Sequence, residues 1–472
     1  MQYAGGYLAC YTQLVFAFSC VTGKIAVYYP KRSVIILSME RLFQMNGAPC
    51  PCGRPHRFSA EVLCGAGVIK KLPDILRGKG VQKAFILTDS NTYEAAGKQV
   101  CSLLNDAKIG YQSYTLPEKE PHPDEQRVGA AVMHMEPDCD IVIGVGSGVI
   151  NDIGKMLAAL SRLQYIIVGT APSMDGYASA TSSMTRDGLK VSINTKAADV
   201  IIGDTDILKN APLKMLRAGL GDMIAKYVSI CEWRIASIIT GEYYCEEVAE
   251  LIRDALRQCV DRAEGLLRRE PEAVEAVFVG LVIGGVAMNY AGCSRPASGN
   301  EHYISHIIDM RAVEFGTAEE LHGIQCAIGT LETLRLYEKL QKITPDREKA
   351  VSYVENFSYD RWAAELRAFL GCGAESMIAL EGKEKKYDVS AHKARLEIIL
   401  SHWDEIMEII RQELPTASEV EKLLNTIGAP KTLGDIGVDA PLSMIFRATK
   451  DIRDKYVLSR LLWDLGILEE IM

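Results

Sequence analysis

The stretch DIVIGVGSGVINDIGK, residues 140–155, decides how the rest of the chain is read. Its first five residues, DIVIG at 140–144, form an apolar run with the length of a buried strand. Glycines 144, 146 and 148 follow, and the apolar spacing after them predicts a helix over 149–163. A strand, a glycine turn and a helix start gather free backbone N–H groups at the positive end of a helix dipole, which suits a pyrophosphate. The spacing is GxGxG rather than GxGxxG. A tight strand-to-helix corner that needs glycine only for its own geometry therefore stands as the simpler alternative.

Runs of the same type flank this stretch: AFILTD at 84–89, YIIVG at 165–169 and DVIIG at 199–203. A further helix is predicted over 92–104, and the alternation is that of a doubly wound parallel sheet with its ligand at the carboxyl ends of the strands. Asp89 closes the first run, where a carboxylate can accept the ribose hydroxyls of NAD, a role that disfavours a 2′-phosphorylated cofactor. A helix N-cap is the competing role for Asp89. TAPSMDGYAS at 170–179 offers hydroxyls, a carboxylate and a glycine at the same sheet edge, as a polar site or as a capped turn. Beyond Lys209 the strand-like runs stop, and helices are predicted over 216–238, 242–266, 272–290, 318–340 and 392–413. Residues 358–390, polar and poorly periodic, read as a surface elaboration. The expected organisation is an α/β dinucleotide-binding domain over 46–208 and a helical metal and substrate domain over 209–472. Residues 1–45 are expected to be an N-terminal extension, with Met39 and Met45 as alternative starts.

Composition narrows the partners. The 472 residues carry Lys+Arg 52 against Asp+Glu 61, a net charge of -9, which offers no general attraction to nucleic acid or to an anionic membrane. The apolar run at 7–21 is shorter than the roughly 20 residues a membrane span needs, and MQYAGG lacks the basic residues of a signal peptide. The 13 cysteines have no regular spacing, which suggests reduced thiols in a cytoplasmic protein.

Three of the eight histidines fall close together, at His302, His306 and His322. His302 and His306 share one face if their segment is helical, with Glu301 turned to another. Asp222 lies far upstream in the apolar stretch AGLGDMIAKY, where an unpaired charge would be costly. One Asp with two or three His suits Zn²⁺ or Ni²⁺, with Fe²⁺ ranked below, and leaves a position for substrate. Ordinary hydrogen-bonded histidines remain the alternative. Cys50, Cys52 and His56 form a second cluster with metal-ligand residue types, but sequence supplies no fourth donor nearby, so a mobile N-terminal segment is the expectation there.

Taken together, LTDSNTY at 87–93, GVGSGVINDIGK at 144–155, TAPSMDGYAS at 170–179, DTDILKNAP at 204–212, AGLGDMIAKY at 218–227, RPASGNEHYISH at 295–306, LHG at 321–323 and IRDKYVLSRLLWDLGIL at 452–468 resemble one superfamily. It is the dehydroquinate synthase-like, iron-type alcohol dehydrogenase superfamily, and within it the NAD(P)-dependent glycerol-1-phosphate dehydrogenases. The resemblance spans about 46–472. It implies hydride transfer between sn-glycerol 1-phosphate and dihydroxyacetone phosphate, as in phospholipid biosynthesis, with NAD or NADP and one divalent metal. The implied partner is a small phosphorylated three-carbon substrate, and the implied assembly is a homo-oligomer, a dimer or larger.

The resemblance also distributes roles. Asp89, Gly146, Ser147, Gly148, Val149, Ile150, Asp152, Thr170, Ala171, Pro172, Ser173 and Ser179 would bind the cofactor. Asp175, Asp222 and His306 would meet the substrate, Asp222 and His306 would be catalytic, and Asp222, His302 and His322 would hold the metal. Four-ligand iron alcohol dehydrogenases place a His four residues after the ligand Asp, where this chain has Lys226. Dehydroquinate synthases have Glu in place of Asp222, and Val149 replaces the usual Ser or Thr of the turn. Glycerol dehydrogenase, an NAD-using sugar-phosphate cyclase and a non-enzymatic nucleotide- or metal-binding regulator are the alternatives.

Overall fold

The computed structural model describes residues 16–20, 23–27, 35–186 and 189–472. Its centre is a six-stranded, all-parallel sheet of β3 (Glu61–Gly65), β4 (Lys83–Asp89), β5 (Gly110–Leu116), β6 (Ile141–Gly146), β7 (Gln164–Gly169) and β10 (Val200–Asp204), in the order β3-β10-β7-β6-β4-β5. Residues 141–146 are all buried, as expected of a strand covered on both faces. From β4 the chain steps outward to β5, whereas from β6 it steps the other way through β7 to β10. The order therefore reverses between β4 and β6, and the crevice outside their carboxyl ends is where such sheets bind ligands. Asp89 and the glycine turn end these two strands.

Two antiparallel hairpins form separate two-stranded sheets: β1 (Phe16–Cys20) with β2 (Gly23–Val27), and β8 (Thr181–Arg186) with β9 (Leu189–Asn194). The four predicted strands are present. β3, β5 and the hairpins went unread: EVLCG at 61–65 is short, and GYQSYTL at 110–116 is a half-exposed edge strand without an apolar run.

Among the described residues, 209–472 contain helices and no strand. The stretch predicted as one helix over 216–238 is divided at Ala225 into Leu213–Ile224 and Lys226–Thr240. The stretch over 392–413 is divided at His402. Residues 358–390 are not a surface elaboration. They form the helices Tyr359–Leu370 and Gly373–Glu384, which bury Trp362, Phe369, Leu370 and Met377 despite their charged outer faces. The helix Pro271–Ala291 is long and apolar enough to cross a membrane, but most of it is buried inside the protein, with Phe278 beneath the close-packed Gly169 and Gly203 of the sheet.

The expected boundary at 45/46 falls at the end of the helix Ile35–Met45. Met39 and Leu42 of that helix are buried in the core, and Arg41 pairs with Glu247 and Asp254. This part of the expected extension is therefore packed into the fold. Most of the apolar run at 7–21 lies outside the described residues.

Candidate active site

Glycines place Asp222. A Cβ on Gly219 would stand 1.8 Å from the Pro172 carbonyl oxygen, one on Gly221 would stand 2.2 Å from that of Gly323, and one on Gly323 would stand 1.9 Å from that of Ala218. The helix Leu213–Ile224 can touch both the loop after β7 and the helix His322–Leu340 only because these positions lack side chains. Asp222 thus comes between Asp175 and the histidines, fully buried, and its Oδ2 accepts the Asp175 N–H at 2.9 Å.

His302 and His306 lie one turn apart on the helix Asn300–Phe315, and His322 opens the helix facing it. His302 Nε2 is 3.5 Å from Asp222 Oδ1, and its ring centroid is 5.0 Å from that of His322. His302 belongs to two groups of donor atoms close enough to share one ion, one with Asp175 and Asp222 and one with His322 and Cys326. The far side of each ring is tied down. His302 Nδ1 meets Glu301 Oε1 at 2.7 Å, and His322 Nδ1 meets Ser305 Oγ at 2.9 Å. A carboxylate or hydroxyl on Nδ1 orients the ring and leaves Nε2 for a metal. The group with Asp175 and Asp222 is of the borderline N/O class, the group with His322 adds the Cys326 thiol, and among the described residues no single group joins Asp222 to His322.

Lys226 opens the helix Lys226–Thr240, four residues after Asp222. Its ammonium is fully buried, donating to Asp222 Oδ1 at 2.7 Å, Asp175 Oδ2 at 2.8 Å and the Ala297 carbonyl at 3.1 Å. Burial alone would lower the Lys226 pKa, but Asp175 and Asp222 outweigh it and hold the ammonium charged. Burial likewise pushes Asp222 up, while Lys226, His302 and His322 bring it well below the usual carboxylate range.

The ring of His306 stacks on His322 with centroids 5.8 Å apart. Burial first, then His322, Arg453 and Lys190, push His306 well below the usual histidine range, so its imidazole is neutral at pH 7. The cations come from separate elements. Lys190 on β9 pairs with Asp309, Arg453 donates to Ser192 Oγ at 3.3 Å, and Lys455 Nζ lies 5.9 Å from the Tyr303 ring centroid. Burial, then Arg295 and Arg453, lower Lys455 to about 7. The Tyr303 hydroxyl is buried without a protein partner.

On the sheet side, Ser147 stands at the N-cap of the helix Gly148–Ser161, but its hydroxyl bonds to Ser173 and leaves the helix start uncapped by a side chain. Those first N–H groups are available to an anion. A Cβ on Gly146 would stand 2.5 Å from Ile150 Cβ, so that glycine serves the turn itself, whereas one on Gly148 would meet nothing nearer than Met174 Cγ at 3.5 Å. The Thr170 N–H donates to the Gly146 carbonyl at 3.0 Å, which joins 170–173 to the turn. Thr170, Ser173 and Ser179 are buried, with Ser179 Oγ 2.9 Å from Thr181 Oγ1. Asp89 does cap the next helix, taking the Thr92 N–H on Oδ1 at 2.8 Å, which leaves its other oxygen for a second role. Asp152 lies one turn into its helix and pairs with Lys155 at 3.2 Å, whose ammonium also holds the Gly176 carbonyl.

The iron-containing alcohol dehydrogenase family matches residues 63–212. A glycerol-1-phosphate dehydrogenase [NAD(P)+] of Bacillus velezensis is 34% identical over 300 residues, 62% of this chain and 76% of that protein. The chain belongs to the glycerol-1-phosphate dehydrogenase family. Another relative of the same name, from Methanosarcina barkeri, is 35% identical over 278 residues, 59% of this chain and 76% of its own. Among solved structures, a glycerol dehydrogenase of Schizosaccharomyces pombe superposes with a TM-score of 0.53 at 16% identity, covering 88% of this chain and 91% of that one. That likeness shows the dehydroquinate synthase-like fold.

Sequence reading missed Cys326, Lys190, Arg453 and Lys455. Cys326 Sγ lies 3.5 Å from His322 Nε2, and its spacing of four from His322 on a helix was the available signal. The three cations come together only through the hairpin and the C-terminal segment.

Proposed function

We propose that the chain interconverts sn-glycerol 1-phosphate and dihydroxyacetone phosphate with NAD(P)(H). The observation that carries the substrate reading is the set of cations on the His306 side of the site: Lys190 pairs with Asp309 on the His306 helix, Arg453 bonds Ser192, and Lys455 lies by the Tyr303 ring. In sn-glycerol 1-phosphate the phosphate is carried by C1, directly beside the reacting C2. Cations and a buried hydroxyl on that side of the histidines suit such a dianion. A glycerol dehydrogenase acting on the free alcohol has no use for them.

Asp222, His302 and His322 would hold a divalent ion, with Zn²⁺ or Ni²⁺ best suited to these donors, and when bound it supplies a Lewis acid for the C2 oxygen. A bound nicotinamide would provide the hydride chemistry, and the chain's part would be to orient it. Asp89 would take the ribose. The uncapped N–H groups around Gly146, Ser147, Gly148, Val149 and Ile150 would take the pyrophosphate, with Thr170, Ala171, Pro172, Ser173 and Ser179 forming the facing wall. Asp152 supports that wall through Lys155 and Gly176. Asp175 and Lys226 border the substrate and hold Asp222 in place. His306, neutral and one turn from His302, accepts the substrate hydroxyl proton on its imidazole during oxidation and returns it during reduction.

The deciding experiment compares oxidation of NADH and NADPH with dihydroxyacetone phosphate and with dihydroxyacetone, after addition of Zn²⁺ or Ni²⁺. The reading requires preference for the phosphorylated ketone and sn-glycerol 1-phosphate as product. Formation of sn-glycerol 3-phosphate, or a preference for dihydroxyacetone, overturns it.

A further inference from the structure

Sequence supplied three metal-type donors at Cys50, Cys52 and His56 and no fourth. The fold brings Cys245, 189 residues beyond His56, into contact with them. Cys50 Sγ lies 3.6 Å from Cys245 Sγ, Cys52 Sγ lies 3.5 Å from His56 Nε2, and Cys245 Sγ lies 3.5 Å from the same nitrogen. All four donor atoms stand within 4.8 Å of one another. A tetrahedral zinc ion with Zn–S of about 2.3 Å and Zn–N of about 2.0–2.1 Å places neighbouring sulfurs about 3.8 Å apart and sulfur and nitrogen about 3.5 Å apart.

The surroundings are those of ligands already aimed. His56 is buried, and its Nδ1 lies 3.1 Å from the Tyr290 carbonyl, which fixes the tautomer and turns Nε2 to the sulfurs. The Tyr243 hydroxyl donates to Cys52 Sγ at 3.2 Å. Arg54 lies over the Tyr243 ring at 3.6 Å, and Cys245 begins the helix Glu246–Asp261; both place positive potential beside a thiolate-rich site. The loop is closed at its base, where the Asn46 side chain bonds both the N–H and the carbonyl of Phe58, and the Gly47 N–H donates to the His56 carbonyl at 2.7 Å.

We infer that Cys50, Cys52, His56 and Cys245 form a closed, structural Zn²⁺ site, separate from the catalytic cluster, that fastens the 46–58 loop to the helical half. Four protein donors fill the tetrahedron and leave no position for substrate. Binding Zn²⁺ displaces the thiol protons to solvent, with no change of oxidation state.

The test uses the full chain expressed with zinc. The His322→Ala variant removes a donor of the catalytic cluster, and its remaining zinc is examined by X-ray absorption. The expected result is about one zinc per chain in a shell of three sulfurs and one nitrogen. In the wild-type background, Cys52→Ala and Cys245→Ala are each expected to lose about one zinc equivalent. A His322→Ala protein without zinc, or with an oxygen-rich shell, overturns the inference. So does unchanged zinc content in the cysteine variants, or a Cys50–Cys245 disulfide in protein isolated with zinc supplied. If the cysteine variants do not fold, the absorption measurement on His322→Ala decides alone. Failure of the proposed reaction would appear in the triose phosphate assay and leave this result untouched.

Discussion

The two halves of the molecule build their polar sites from different materials. At the sheet edge the groups offered to a ligand are mostly backbone N–H groups at a helix start that Ser147 leaves uncapped. In the helical half they are side chains, with Asp222 and Lys226 fully buried and held by one another. A backbone site needs only the right turn, and one chain segment supplies it. A site of buried charges needs partners from several elements, because an unpaired charge in the interior is costly.

This contrast can be broken most sharply at His322. His322→Ala removes one imidazole donor and leaves His302 and Asp222 in place. Turnover with dihydroxyacetone phosphate is expected to fall by about 10⁴-fold, about 5.5 kcal/mol of barrier, with loss of the catalytic ion by elemental analysis. A variant that had lost one metal equivalent relative to wild type and remained fully active would remove the metal from the mechanism.

The next effect concerns stability. Lys226→Met leaves Asp175 and Asp222 without their shared cation, and breaking a buried pair costs about 3–5 kcal/mol. The chelator-treated variant should melt far below chelator-treated wild type, and added Zn²⁺ should narrow the gap. Equal melting temperatures would show that the ammonium does not stabilise the two carboxylates.

A smaller and selective effect is expected at the C-terminal segment. Lys455→Ala should lower kcat/KM for dihydroxyacetone phosphate by about 100-fold, about 2.7 kcal/mol, and leave dihydroxyacetone almost unaffected. The sign of the pH dependence follows from a Lys455 pKa near 7. Below that pH the ammonium attracts phosphate, and above it the charge is lost, so wild-type KM for the phosphorylated ketone should rise with pH. A KM that is flat across pH 6–9, or that falls, would detach Lys455 from the phosphate.

The smallest effects separate two glycines of one turn. Gly148→Ala meets no close neighbour, so it should keep the wild-type melting temperature while weakening NAD(P)H binding about tenfold, about 1.4 kcal/mol. Gly146→Ala forces a Cβ against Ile150 and should destabilise the fold by about 1–3 kcal/mol. If Gly148→Ala binds cofactor normally, the turn is only a corner.

Four of the buried strands were legible because each is a short, continuous apolar run, whereas β3, buried from Val62 to Gly65, offers only three apolar residues between Glu61 and Gly65 and was missed. β5 was missed as well, since an edge strand that is half exposed has no such run. The helices over 358–390 were hidden for a related reason: their outer faces are so charged that a narrow apolar stripe is easily overlooked. His302, His306 and Asp222 could be singled out because a rare residue type recurs at helical spacing and a carboxylate interrupts an apolar stretch. Lys455, by contrast, is one lysine among many until folding half-buries it beside Tyr303.

By itself, then, the sequence determined what local pattern can carry: four of the six parallel-sheet strands, the glycine turn, the helical second half and the histidine pair one turn apart. The tertiary structure decided which distant residues meet. It brought Cys245 to His56, Lys226 between two carboxylates, and the hairpin and C-terminal cations to His306. The reason is one of range. Strand and helix patterns repeat every two or three to four residues, whereas these contacts depend on how whole helices pack, here through glycines that let Leu213–Ile224 approach Pro172 and Gly323 at backbone distance.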